Sequence, residues 1–178
     1  SVSERFTSLA KVDVDMNDYI RFSAKIDFST TKNEGYSVVN PFSYAYKTTR
    51  TLKPYDEDGS YHMYNKSSKY FYNVLKELDN TGKDAKSNDF NALLNLNVKL
   101  VDGLTYQGVF SYHNSTTNTR DWRTAETNAI TQIRGYEYKE YDETADEYWE
   151  SPLPYGGILE QGHTTKSGYT VRNSLNYV

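Results

Sequence analysis

A strict apolar–polar alternation of period two runs through this chain as a hairpin that occurs twice. Residues 12–24 read VDVDMNDYIRFSA and residues 96–108 read LNVKLVDGLTYQG. Val14, Met16, Asp18, Ile20 and Phe22 recur 84 positions later as Val98, Leu100, Asp102, Leu104 and Tyr106. A period of two collects these residues on one face of a strand, whereas a helix would scatter them around its axis. The fold class that follows is all-β, built of antiparallel hairpins.

The alternation predicts five strands, near 4–16, 19–30, 90–100, 104–113 and 168–178. In the second, Ile20, Phe22, Ala24, Ile26 and Phe28 oppose Arg21, Ser23, Lys25, Asp27 and Ser29. Tight turns are expected at Asn17-Asp18 and at Asp102-Gly103, the latter a strong hairpin signal. Between the hairpins lie two segments, 31–89 and 114–167, far longer than the roughly 12–15 residues usual for a structureless loop. Each is expected to carry a short helix. Ser68 to Leu78 sets Phe71, Val74, Leu75 and Leu78 at helical spacing, stopped by Asn80-Thr81-Gly82. Asp121 is the expected cap of a second, with Ala125, Ala129, Ile130 and Ile133 on one side and Gly135 at its end.

Short turns at one end of the strands and long loops at the other are the habit of transmembrane β-barrels. A soluble sandwich shows turn signals every 8–12 residues or so. No apolar run approaches the ~20 residues of a membrane helix, but a barrel strand needs only about 9–11. On this reading Phe22, Ile26, Val98 and Phe110 face lipid. The charged face, with Lys11, Asp13, Asp15, Arg21, Lys25 and Asp27, lines a hydrated interior. The chain begins almost on a strand and stops within another, so it is expected to be a segment of a larger barrel.

Composition narrows the function. The chain is hydrophilic on average, with a mean hydropathy of -0.83, yet 15% aromatic with 18 Tyr, which argues against disorder. A formal charge of -4 and scattered Lys and Arg give no nucleic-acid surface. There is no Cys, hence no disulfide scaffold, thiol nucleophile or thiolate metal site. His62, His113 and His163 stand apart, without metal-ligand spacing. Asp56-Glu57-Asp58-Gly59 departs from a calcium loop because Pro54 occupies the first ligand position, and it reads as an acidic turn. The acids of 137–150 read as a solvated loop. Asn65-Lys66-Ser67 and Asn114-Ser115-Thr116 match the glycosylation pattern at a length that chance supplies. No nucleophile, phosphate-loop or dinucleotide motif occurs, so neither an enzyme nor a cofactor is expected, and no metal. Tyr106, Tyr112, Tyr169 and Tyr177 suit a membrane-interface girdle. In the second long loop Trp122, Tyr136, Tyr138, Tyr148, Trp149 and Tyr155 suit stacking on a sugar, with Trp122, Tyr136, Trp149 and Tyr155 as the candidate ligand-binding residues, against loop packing as the commoner use of aromatics.

An ordered set of short motifs resembles the SusC/RagA family of TonB-dependent outer-membrane transporters. It runs from Asn40-Pro41-Phe42 and Lys53-Pro54-Tyr55-Asp56-Glu57-Asp58-Gly59-Ser60-Tyr61 through Tyr72-Asn73 to Asp79-Asn80-Thr81. It continues with Ile133-Arg134-Gly135-Tyr136, Ser151-Pro152-Leu153-Pro154-Tyr155-Gly156-Gly157 and the strand Tyr169-Thr170-Val171-Arg172-Asn173. The resemblance implies a barrel in the outer membrane of a Gram-negative bacterium of the Bacteroidota. It also implies a plug and TonB box outside this stretch, a SusD-like surface lipoprotein as partner, and import of oligosaccharides or peptides. It contributes no binding residue. The competing expectation is a secreted soluble β-rich module that binds glycans through its loop aromatics.

Overall fold

The computed structural model describes residues 1–48, 51–63 and 72–178. Five antiparallel strands form one open sheet in sequence order: β1 (Val2–Asn17), β2 (Ile20–Gly35), β3 (Thr81–Val101), β4 (Leu104–Arg123) and β5 (Ile158–Tyr177). Four short helices complete the chain: α1 (Pro41–Lys47), α2 (Val74–Asp79), α3 (Asn128–Arg134) and α4 (Asp146–Glu150). The protein divides into two compact units. One comprises Ser1–Val2, Glu34–Asp84 and Thr119–Gln161, the other Ser3–Asn33, Ala85–Asn118 and Gly162–Val178.

The Asp102-Gly103 turn forms as expected, with Gly103 at φ +81. A Cβ there would lie 2.7 Å from the Val178 carbonyl oxygen, so the position admits only glycine. The first turn is one residue displaced from Asn17-Asp18. Asn17 belongs to β1 and Asp18-Tyr19 make the connection. The cause is the Asn17 side chain, whose Oδ1 accepts from the backbone N–H of Tyr19 (2.9 Å) and Ile20 (2.8 Å).

The strands are much longer than the alternation foretold. β3 starts at Thr81 rather than near 90, β4 runs to Arg123 rather than 113, and β5 starts at Ile158 rather than 168. The connections expected over 31–89 and 114–167 shrink to 36–80 and 124–157. The added halves carry polar residues on both faces, so they lack an apolar period. The backbone ladder forms regardless, reinforced by polar cross-strand pairs: Ser87 with Thr117 (2.9 Å), Thr30 with Asn88 (3.0 Å), Arg120 with Asp84 (2.8 Å) and His163 with Asn118 (2.6 Å).

These pairs also fix which residues share a face. Ser3–Asn33 and Asp15–Arg21 join the odd positions of β1 and β2, and Asp27–Asn91 and Asn91–His113 carry that face on to β3 and β4. The opposite face collects Phe22, Ile26, Val98 and Phe110 together, as the alternation required. Ile26 and Phe110 are exposed, Phe22 and Val98 half-buried. Phe6, Val12, Val14, Met16, Phe28, Phe90, Leu96, Tyr169, Val171 and Leu175 are exposed as well. Among the described residues the buried apolar side chains are Ile130, Tyr136 and Tyr148, all in 124–157. The sheet buries none.

The helices differ in detail from expectation. α1 has an Asn-Pro start: Asn40 Oδ1 accepts from Phe42 N (3.0 Å) and Ser43 N (3.1 Å), with Pro41 at the first helical position. α2 begins at Val74 behind its cap Asn73, later than the start expected at Ser68; Ser68 to Phe71 lie outside the described residues, as does Asn65-Lys66-Ser67. α3 is capped by Thr127, not by Asp121, which belongs to β4. Its Gly135 stop, at φ +93, is as expected. Residues 146–150, expected as solvated loop, form α4.

Candidate functional site

Two regions carry polar chemistry, and each belongs to one unit. The first is the charged face of the sheet. Lys11 Nζ lies 2.8 Å from Asp13, and Arg21 grips Asp15 through Nε (2.5 Å) and a second nitrogen (3.2 Å). Farther along, Asn91 Nδ2 donates to Asp27 (2.7 Å), and His113 Nδ1 donates to Asn91 Oδ1 (2.5 Å). Exposed pairs of this kind contribute little stability. They make a wettable wall of alternating charge. A groove of about 860 Å³ crosses this region near the short turns, bordered by Asp15, Arg21, Asn97 and Lys99 among others.

The second region is built from the two long connections, within the other unit. Arg134 is its hub. The side chain is 2% exposed and donates to the carbonyls of Ala125 (3.0 Å), Leu153 (3.2 Å) and Gly156 (3.2 Å). Ser151 Oγ donates to the Arg134 carbonyl (2.9 Å). The guanidinium also lies 5.3 Å from the Tyr138 ring centroid. The Pro152–Gly157 turn is therefore folded onto the end of α3.

Two side chains of the first connection do comparable work. Asn73 caps α2 through Oδ1, while its Nδ2 donates to the carbonyls of Pro54 (2.8 Å) and His62 (2.9 Å). This holds the small hairpin in which Tyr55 bridges Tyr61. The acidic turn at its tip forms as expected: Asp58 accepts from Ser60 N and Oγ, and Asp56 pairs with His62 at 2.6 Å. Tyr61 donates to Asp79, a bond that pushes its hydroxyl up to about 12.

Glu77 is buried and accepts from Asn128 N (2.6 Å) at the start of α3. Burial pushes its carboxyl up, against the pull of that N–H. A raised carboxyl stabilises below its unfolded value near 4.5, and that contribution is lost as pH rises through the raised one. Glu77→Gln, which retains an acceptor, is expected to change neutral-pH stability by less than about 1 kcal/mol and to flatten this pH slope. Glu77→Ala removes the acceptor of the half-buried Asn128 N–H and is expected to cost about 1–3 kcal/mol. Urea unfolding at several pH values measures both.

The four candidate stacking residues separate into two kinds. Tyr136 is buried at 7% exposure and meets Tyr141 edge-on at 5.1 Å, so it packs the loop. Trp122 is half-buried on β4 and lies over Gly82, where a Cβ would approach its ring to 2.0 Å. Gly82→Ala is expected to cost about 1–3 kcal/mol by displacing the indole, read as a shifted tryptophan emission. Trp149 and Tyr155 are exposed, at 65% and 69%. Tyr155 borders an open cleft of about 510 Å³ with Tyr138, Lys139, Asp142, Glu143 and Tyr148. Trp149 lies outside that lining, and its Nε1 donates to the Glu143 carbonyl (2.9 Å).

Of the cleft lining, the sequence singled out Tyr138, Tyr148 and Tyr155 but not Lys139, Asp142 or Glu143. Its signal was the density of Tyr within an acidic segment. Lys139 at φ +68 is the one non-glycine residue in the left-handed region among those described. Comparison with protein-family models and with curated proteins finds no match for this chain.

Proposed function

We propose that the chain forms part of the wall of an outer-membrane nutrient importer of the SusC type. The observation that carries this is the uncovered apolar face. On each strand the continuous apolar run of that face lies beside the short turns: 6–16, 20–28, 90–100, 104–112 and 169–177, with Ser8, Gly108 and Asn173 as interruptions. Each stretch is close to the 9–11 residues that cross a bilayer when tilted. A twenty-residue strand extends about 66 Å, well beyond a hydrocarbon band of about 25 Å. The polar halves then stand outside the membrane.

An aromatic closes the band on every strand: Phe6, Phe28, Phe90, Tyr112 and Tyr169. The register set by Asp27–Asn91 and Thr30–Asn88 puts Phe28 opposite Phe90. That set by His163–Asn118 and by Val178 N to Gly103 O puts Tyr112 opposite Tyr169. The Phe90 and Tyr112 rings are 6.3 Å apart, one pleat out of step. The line thus descends across the sheet, the stagger that tilted barrel strands need. This supports a girdle at the membrane interface, with 36–80 and 124–157 extracellular and the short turns periplasmic.

Open edges at β1 and β5 suit continuation into a closed barrel. The ordered motifs support the SusC/RagA type, with TonB energisation, a SusD-like lipoprotein and oligosaccharides or peptides as cargo. A soluble glycan-binding module would need a cover for the apolar face. Fractionation of the full-length protein tests the reading: it should partition with outer membranes and require detergent. A monodisperse soluble protein without detergent would refute it.

A further inference from the structure

The open cleft that Tyr155 borders holds polar groups that the folding of 124–157 leaves unused. Tyr148 lies on its wall, buried to all but 9% of its surface. Its ring meets Trp149 edge-on at 5.1 Å, while its hydroxyl has no hydrogen-bond partner among the described residues. That oxygen is not sealed in the interior either. Among the described residues Arg123 Nε is the one fully buried side-chain nitrogen or oxygen without a partner. The Tyr148 hydroxyl therefore opens into the cleft. On the same lining, the Glu143 carboxylate makes no ion pair or hydrogen bond with a described residue; its main-chain carbonyl takes the Trp149 Nε1 bond. Asp142 commits one oxygen to Thr144, through N (2.9 Å) and Oγ1 (2.5 Å), and keeps the other.

Two further observations set the charge of what fits. Residues 137–150 hold seven carboxylates against Lys139 alone, so the potential at the cleft is negative. The cations of this connection also rest on tyrosine: Arg134 Cζ lies 5.3 Å and Lys139 Nζ 5.2 Å from the Tyr138 ring centroid. Tyr155, 69% exposed, offers a ring that no cation of a described residue covers. A neutral sugar would stack there without using the charge, and an acidic one would be repelled.

We propose that this cleft takes the guanidinium of an arginine side chain presented by a peptide. Glu143 and the Tyr148 hydroxyl accept its N–H groups, and Tyr155 stacks on its plane. A guanidinium has donors only and a flat face, which matches free acceptors beside an open ring. Taking the peptide as cargo rests on the barrel reading, which sets 124–157 outside the cell; the binding itself does not.

The test titrates the full-length protein in non-ionic detergent by calorimetry. The probes are acetyl-Ala-Arg-Ala-amide, its citrulline analogue, which keeps the shape and loses the charge, and maltoheptaose. The arginine peptide should bind, with citrulline about tenfold weaker or more. Glu143→Gln should weaken the arginine peptide about tenfold, and Tyr148→Phe, which keeps the ring packing, about threefold. Tyr155→Ala should weaken it about threefold. Lys139→Gln removes a competing cation and should tighten it about twofold. No binding of the arginine peptide, equal binding of citrulline, tighter binding of maltoheptaose, or weakening by Lys139→Gln overturns the site. Membrane fractionation separates the two readings. A protein that partitions with outer membranes but ignores the arginine peptide loses only this site. A soluble one that binds it keeps the site and loses the barrel.

Discussion

Ile26→Arg is expected to destabilise the membrane-assembled protein by about 1–3 kcal/mol, since a guanidinium on the lipid face costs about 2–4 kcal/mol at the bilayer midplane and less toward the aromatic edge. Ile26 sits inside the 20–28 stretch, short of its aromatic edge at Phe28. It is 46% exposed, and the Ala24 and Phe28 that flank it on this face offer a cation no carboxylate. Lys25→Ile, one residue away on the charged face, is expected to change stability by less than about 1 kcal/mol, because that face is hydrated. Urea titration of the full-length protein in vesicles, read by heat-modifiable mobility, measures both. The opposite ranking would reverse the facing of the sheet. Indifference to both would place neither face against lipid, since an exposed isoleucine in water is replaced by arginine at little cost.

The sequence revealed the strands only where one face must be apolar. The ranges 4–16, 19–30, 90–100, 104–113 and 168–178 follow the apolar stretches, whereas the hydrogen-bonded strands continue by nine or ten residues in β3, β4 and β5. Periodicity reports the environment of side chains. A strand solvated on both faces has no reason to alternate, so residues such as Asn114 to Arg120 carry no such signal despite their place in β4. The turn at Asp102-Gly103 and the stop at Gly135 were readable because each needs a glycine conformation. The cap of α3 was misassigned because Asp121 and Thr127 are both good caps, and only the length of β4 decides between them.

The loop site was less readable for a related reason. Trp122, Tyr136, Trp149 and Tyr155 are alike as residue types, and burial alone sorts them into two that pack and two that are exposed. A buried arginine gives no warning in a sequence, since arginine is seldom buried. Arg134 nevertheless determines how 124–157 is folded. Its role yields a test that separates folding from ligand binding in this segment.

Arg134→Leu is expected to cost the 124–157 segment about 3–5 kcal/mol. The guanidinium serves three carbonyls in a site that is 2% exposed, and each acceptor left unpaired costs about 1–3 kcal/mol, part of it recovered by water entry. Arg134→Lys is expected to recover only part of the loss, because a point ammonium does not reproduce a planar fork aimed at three oxygens. Hydrogen exchange should show lost protection in 124–157, with the 90–113 hairpin unchanged. A uniform loss across both would make Arg134 a determinant of the whole fold rather than of this segment. Trp149→Ala supplies the contrast. An exposed side chain is expected to cost under about 1 kcal/mol and to leave exchange unaltered. If Trp149→Ala nonetheless weakens cargo binding, that loss belongs to ligand contact, whereas the loss in Arg134→Leu belongs to the collapse of the cleft that Tyr155 borders.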